Sequence, residues 1–144
     1  MIWVDTREHK GKNTHILSAF YAVGADYEEH KLDEGDYMLE GGNITIDRKK
    51  DLEEISGNLC NKDRRFWREA RRAHDKGLKL IVLIEEPDIL SIKDVKEWKS
   101  KYSRVTGHNL ADQMFRLHIS HGVEFLFCDK VQAGRRIMEL LGVV

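Results

Sequence analysis

The heptapeptide Leu78-Lys79-Leu80-Ile81-Val82-Leu83-Ile84 constrains the fold more than any other segment of the chain. It is nearly continuous in apolar residues, the pattern of a central strand buried on both faces. A helical pattern precedes it and closes at Gly77, so a parallel crossover is expected. Residues 123–128 read as another buried strand, and residues 2–4 as a short apolar strand ending at Asp5. Residues 27–32, 36–39 and 44–48 read as three consecutive strands, the latter two a hairpin over Gly41-Gly42. Asn13 or Thr14 can cap a helix over residues 15–23 that ends at Gly24. Further helices are expected at residues 51–59, 62–76, 95–102, 109–121 and 131–141. The order β-α-β-β-β-α-β-α-β-α describes an α/β fold, a mixed β-sheet flanked by helices, without internal repeats.

A chain of 144 residues fits a single domain spanning 1–144, and 41% hydrophobic with 34% charged residues is ordinary for a soluble globular protein. Pro87 is the one proline, and no low-complexity segment, apolar run of bilayer length or signal-peptide pattern is present. The expected setting is therefore intracellular, soluble and without membrane contact. Cys60 and Cys128 are far apart and not in a CxxC pattern, which argues against a disulfide framework or zinc knuckle. A net charge of −1 argues against a general nucleic-acid coat protein but leaves room for an enzyme with a local basic face.

The hairpin carries chemistry at its ends. Gly35-Asp36-Tyr37-Met38-Leu39 opens with a carboxylate, and Ile44-Thr45-Ile46-Asp47-Arg48-Lys49 closes with a carboxylate and an amine two residues apart on one face. Asp36 and Asp47 are hard oxygen donors suited to Mg²⁺ or Mn²⁺, and the main-chain carbonyl of Arg48 is a candidate third ligand. Lys49 can orient an attacking water or stabilise a pentavalent phosphorus, and the Arg48 fork can grip an adjacent phosphate. Asp5 and Glu8 lie just past the end of the first strand. Four acids at one sheet edge repel one another unless a cation, or Arg7, Arg48 and Lys49, relieves them. The plain alternative is a surface hairpin with ordinary salt bridges.

Val4-Asp5-Thr6-Arg7-Glu8, Glu34-Gly35-Asp36-Tyr37 and Ile46-Asp47-Arg48-Lys49 with Asp51-Leu52 resemble the nuclease domain of the XPF-like structure-specific endonucleases. That family carries a GD…ERKxxxD motif on a restriction-endonuclease-like, PD-(D/E)xK core. The similarity runs from residue 2 to about residue 86 and more loosely onward. It implies cleavage of branched or flapped DNA near a single-strand/double-strand junction with Mg²⁺ or Mn²⁺. It places Asp36, Asp47 and Lys49 at the catalytic centre, Arg48 beside them, and Asp5, Arg7 and Glu8 in support. The family glutamate is Asp47 here. The last acidic position is open between Asp51 and Glu53. The family's helix-hairpin-helix and helicase domains are not expected, so a partner or second copy would supply DNA grip.

Lys62, Arg64, Arg65, Arg68, Arg71, Arg72 and Lys76 crowd one helix, with Arg64, Arg68 and Arg71 spaced to share a face. This is either a phosphate-holding surface or a solvated helix whose charge is diluted by Asp63, Glu69 and Asp75. Asn109 is expected to cap the helix after the polar 103–109 connection. His118 and His121 lack further ligands for zinc. Cys60, Cys128, Trp3 and Trp67 are expected in the core, with Trp98 partly exposed. Met138, Leu140, Leu141, Val143 and Val144 give the last helix either a homodimer or heterodimer interface or a docking face on the sheet. The alternative function is a non-catalytic DNA-binding or scaffold subunit of a repair or recombination complex, and a third is a nuclease for RNA or unbranched ends.

Overall fold

Residues 1–8, 11–60 and 62–144 are described by the computed structural model. In chain order the elements are β1 (Ile2–Val4), α1 (Thr14–Ala22), β2 (Tyr27–Glu29), β3 (Tyr37–Leu39), β4 (Ile44–Lys49), α2 (Leu52–Leu59) and α3 (Arg65–Asp75). There follow β5 (Lys79–Ile84), α4 (Ile92–Val95), α5 (Gly107–His121), β6 (Glu124–Phe127), a 3-10 turn (Lys130–Gln132) and α6 (Ala133–Leu141). The strands form one mixed sheet in the order β2-β1-β3-β4-β5-β6. Among the described residues no helix is long and apolar enough to cross a membrane.

β5 is the central strand that its composition dictates. It pairs in parallel with β4 on one side and β6 on the other, and Leu80 to Ile84 are all buried. The β3–β4 hairpin forms as expected, antiparallel, with Tyr37 opposite Ile46 and Met38 opposite Thr45. β2 departs from the expected run of consecutive strands. It pairs in parallel with β1 at the sheet edge, while β3 takes the other side of β1. The helix α1 that separates β1 from β2 allows that parallel return.

Strand alternation sorts the side chains into two layers. Leu80, Val82 and Ile84 face α2, α3 and α5, packing with Leu52, Ile55, Phe66, Ala70, Leu110, Met114 and Leu117. Ile81 and Leu83 face α1 and α6, with Ile2, Val4, Ile16, Phe20, Ile46, Ile137 and Met138. Asp47 lies beside Val82 and Lys49 beside Ile84, so both belong to the α3 face. Arg48 lies beside Leu83 and belongs to the α1 face. Gly134 lets α6 approach α1 closely, since a Cβ there would stand 2.5 Å from the Ala19 Cβ.

Several local expectations are corrected. The helix expected at residues 95–102 is only the four-residue α4, and a Lys99–Thr106 bridge closes the loop that follows. Ser100 explains the departure: its hydroxyl receives the Tyr102 and Ser103 amides, which diverts the backbone from helical bonding. α5 is capped by Thr106, whose hydroxyl accepts the Asn109 amide, so Asn109 is not the cap. α3 begins at Arg65, with Arg64 outside it in a left-handed conformation (φ 55°), so Arg64 does not share a helical face with Arg68 and Arg71. Trp3 and Trp67 are only half-buried, as is Cys60, whereas Cys128 is buried. Trp3 stacks on His30 at 3.9 Å between ring centroids. α6 buries Ile137, Met138 and Leu141, and Leu140 and Val143 pack on the same cluster, whereas Val144 is exposed.

Candidate active site

The site begins with a glycine. Gly35 has φ +77°, and a Cβ on it would lie 2.1 Å from the Thr45 Oγ1. Only glycine turns the chain so tightly against β4. The next residue is then pinned from both sides: the Asp36 amide donates to the Ile46 carbonyl at 2.7 Å, and its carbonyl accepts the Asp5 amide at 2.8 Å. The Asp36 side chain is thereby aimed along the end of β4, where its Oδ2 accepts the Arg48 amide at 2.8 Å. Asp47 and Lys49 project from the same face of β4, and the Lys49 Nζ stands 3.2 Å from the Asp47 Oδ1. The Lys49 carbonyl is taken by the Glu85 amide on the β5 side. By alternation the Arg48 main chain faces the other way, toward Asp36.

The electrostatics are those of a crowded anion pair. Burial, reinforced by the charges of Asp47 and Glu8, pushes the Asp36 carboxyl well above the ordinary carboxylate range. Burial disfavours the Lys49 ammonium, but Asp47, Asp36 and Glu54 outweigh it and raise its pKa. Glu69, on α3, accepts the Gly35 amide at 3.2 Å and is pushed up to about 7 by burial and by Asp47. Asp36, Asp47, Lys49 and Glu69 line one cleft of about 350 Å³, closed by Asp63, Arg65 and Phe66.

This donor set suits a hard divalent cation. Asp36 has one oxygen engaged by the Arg48 amide and Asp47 has one on Lys49, and the two carboxyls lie within hydrogen-bonding reach of each other, close enough to share a cation. Among the described residues no three His, Cys, Asp or Glu side chains group as a metal centre. Two carboxylates and the Arg48 carbonyl, with water completing the shell, match the preference of Mg²⁺ for few protein ligands.

The supporting residues act through other groups. Asp5 is 3% exposed, and its oxygens accept the Leu32 amide and the Arg7 Nε, both at 3.0 Å. Arg7 also donates to the Leu32 carbonyl, so this pair clamps the loop that leads into Gly35. Arg48 does not reach outward to a phosphate, as its position beside Asp47 suggested. Its guanidinium lies on the α1 face, bonded to Glu8 at 3.0 Å and Glu85 at 3.2 Å. Glu85 in turn meets the His15 Nε2 at 2.5 Å. A second cleft of about 790 Å³ opens on this face and shares Arg7, Asp36, Asp47 and Lys49 with the first. The two clefts therefore join across the rim of the sheet.

Neither candidate for the last acidic position enters the site. Asp51 caps α2, accepting the Glu54 amide at 2.9 Å. Glu53 holds the 100–103 loop, accepting from the Ser100 hydroxyl at 2.8 Å and the Lys101 amide at 2.7 Å. Glu54 lines the second cleft instead. Of the basic residues expected on this helix, Arg65 lines the first cleft and Lys62 is exposed ahead of α3, while the other five have local partners. Arg64 sits over Trp67, Arg68 donates to the Asp63 carbonyl, Arg71 faces Asp75, and Arg72 and Lys76 both meet Glu34. His118 bonds the Val123 carbonyl and His121 the Ser120 hydroxyl, as structural histidines do.

Residues 4–139 match the ERCC4 domain. No curated protein matches the chain. Among solved structures, XPF from Aeropyrum pernix superposes with a TM-score of 0.73 at 20% identity, over 97% of this chain and 62% of that one. The same protein in complex with DNA gives 0.74 at 20% identity, over 99% and 63%. The chain thus spans less than two thirds of the length of these relatives, and the likeness establishes the XPF nuclease fold.

Proposed function

The chain belongs to the ERCC4 domain family, and we propose that it is a divalent-metal-dependent endonuclease cutting branched or flapped DNA near single-strand/double-strand junctions. One observation carries this reading: the end of the β3–β4 hairpin brings Asp36, Asp47 and Lys49 into a single cleft at the rim of the sheet. Asp36, Asp47 and the Arg48 carbonyl would hold Mg²⁺ or Mn²⁺, which supplies charge neutralisation at the phosphate and an acidified water. Lys49, kept charged by its acidic neighbours, stands where it can orient that water or stabilise charge on phosphorus. Asp47 fixes the ammonium, and the two carboxylates need a cation to offset their repulsion. DNA as the substrate draws on the complex with DNA solved for XPF from Aeropyrum pernix, and the preference for branched DNA draws on the motif resemblance alone.

The test is a panel of end-labelled flap, splayed-arm, four-way and linear DNA, with an RNA duplex, incubated with Mg²⁺, Mn²⁺ or EDTA. Cuts close to the junctions with metal and none in EDTA are expected. Binding without cleavage under any metal would instead assign the chain to a non-catalytic, DNA-holding subunit. Cleavage confined to RNA or to unbranched ends would move it to a different substrate class.

A further inference from the structure

We infer that the cleft on the α1 face is the phosphate-binding track for the DNA strand leading away from the scissile bond. This rests on the nuclease reading above and deepens it. The rim of that cleft carries Lys12, Lys50 and Lys130, all exposed, contributed by three separate segments: the stretch before α1, the corner between β4 and α2, and the 3-10 turn before α6. Among the described residues none of the three ammonium groups has a carboxylate within 4.0 Å. Of the acids that line the cleft, Glu8 and Glu85 bind Arg48, Glu85 also binds His15, and Asp47 binds Lys49, while Asp36 and Glu54 accept the main-chain amides of Arg48 and Lys50. Most of the basic charge along α3 is in the opposite condition: Arg71, Arg72 and the capping Lys76 face carboxylates and Arg68 faces a carbonyl, while Arg65 lines the first cleft.

The Arg48 side chain lines this cleft but is only 6% exposed, and its Nε, like the Glu8 Oε2 beside it, is buried without a partner among the described residues, so the track rests on the three exposed lysines rather than on Arg48. The two clefts share Arg7, Asp36, Asp47 and Lys49. A single strand can therefore cross the rim of the sheet, with the scissile phosphate at the carboxylates and the following phosphates among the lysines. Lysine is suited to this role as a mobile point charge that carries no base preference.

The experiment measures binding of a fluorescein-labelled flap DNA by anisotropy, in EDTA so that no chemistry intervenes, at several salt concentrations. Lys12→Ala/Lys50→Ala/Lys130→Ala is compared with Arg68→Ala/Arg71→Ala and with a charge-matched control, Lys31→Ala/Lys93→Ala/Lys96→Ala. The track predicts a loss of at least about tenfold for the first variant alone. It also predicts that the slope of log affinity against log salt falls by about two to three, one unit for each phosphate no longer neutralised. Equal losses in the control, a larger loss in the α3 variant, an unchanged slope, or no DNA binding by the unaltered chain would each overturn it. Binding is scored apart from cutting. A chain that cuts branched DNA but ignores these lysines keeps the nuclease reading and loses the track. A chain that binds through them and never cuts keeps the track and loses the nuclease.

Discussion

The Arg48 amide donates to the Asp36 carboxylate at 2.8 Å, while the Arg48 side chain turns to the opposite face of the sheet and joins Glu8 and Glu85. One residue thus fixes both layers: its main chain orients a candidate metal ligand, and its guanidinium ties β4 to β5 and to the segment after β1. This division of labour follows from strand alternation, which sends Asp47 and Lys49 one way and Arg48 the other.

Arg48→Met should therefore act as a stability mutation. Glu8 and Glu85 would be left buried without their cation, a situation that costs about 3–5 kcal/mol when one partner of a buried pair is removed. Urea unfolding checks this. A variant with unchanged stability and weakened DNA binding would instead return Arg48 to the phosphate-gripping role that its sequence position suggested.

Gly35→Ala should destabilise the chain and disable the site together. The methyl group would collide with the Thr45 side chain, and the positive φ disfavours any L residue, so a loss of roughly 2–4 kcal/mol is expected. Because the Asp36 amide bonds the Ile46 carbonyl, relief of the collision must displace Asp36. Thermal unfolding and a cleavage assay on the surviving folded fraction should both fall.

The stability of the metal-free protein should depend on pH in a specified direction. Glu69 titrates near 7 in the folded chain rather than near its ordinary 4.5, and Asp36 is raised as well. The folded state then holds more protons than the unfolded state across this window. Stability therefore decreases as pH rises from about 4.5 toward 7, and it is recovered on acidification. Thermal melts in EDTA from pH 5 to 8 should show a falling Tm. Glu69→Gln should flatten the fall, and Mn²⁺ should offset it by favouring the ionised carboxylates. A Tm that rises over the same interval in EDTA would contradict the electrostatic account.

The hairpin and the central strand were legible because their signals are local: an uninterrupted apolar run for β5, and Gly41-Gly42 between alternating residues for β3 and β4. The convergence of Asp36, Asp47 and Lys49 was legible for the same reason, since a hairpin brings its two ends together. What the chain concealed depends on distant partners. Arg48 finds Glu8 and Glu85 at separations of 40 and 37 residues. β2 pairs with β1 across α1, a choice that no feature of its own composition dictates. Glu69 looked like a charge diluting a basic helix. Its spacing from the buried Phe66, Ala70 and Ala73 was the available clue that it borders the inward face of α3. Asp51 and Glu53 illustrate the converse: the motif spacing pointed to Glu53 and the residue type to Asp51, yet a loop staple accounts for the first and helix capping for the second.

Lys49→Met should separate chemistry from metal binding. Removing the amine leaves Asp36 and Asp47 in place, so cleavage should drop on the order of 100-fold or more, the range of a lost electrostatic or proton-transfer partner. The affinity for Mn²⁺ should be retained or increased, because a competing cation is gone. Single-turnover cleavage and metal titration, measured on the same preparation, check the two halves.

The most direct measurement is calorimetric titration of Mn²⁺ into the unaltered chain, Asp36→Asn and Asp47→Asn. The account predicts saturable binding to the unaltered chain that is lost in both variants, although each variant remains folded and Asp36→Asn is at least as heat-stable without metal. Equal Mn²⁺ affinity in all three proteins would contradict the claim that these two aspartates form a metal site.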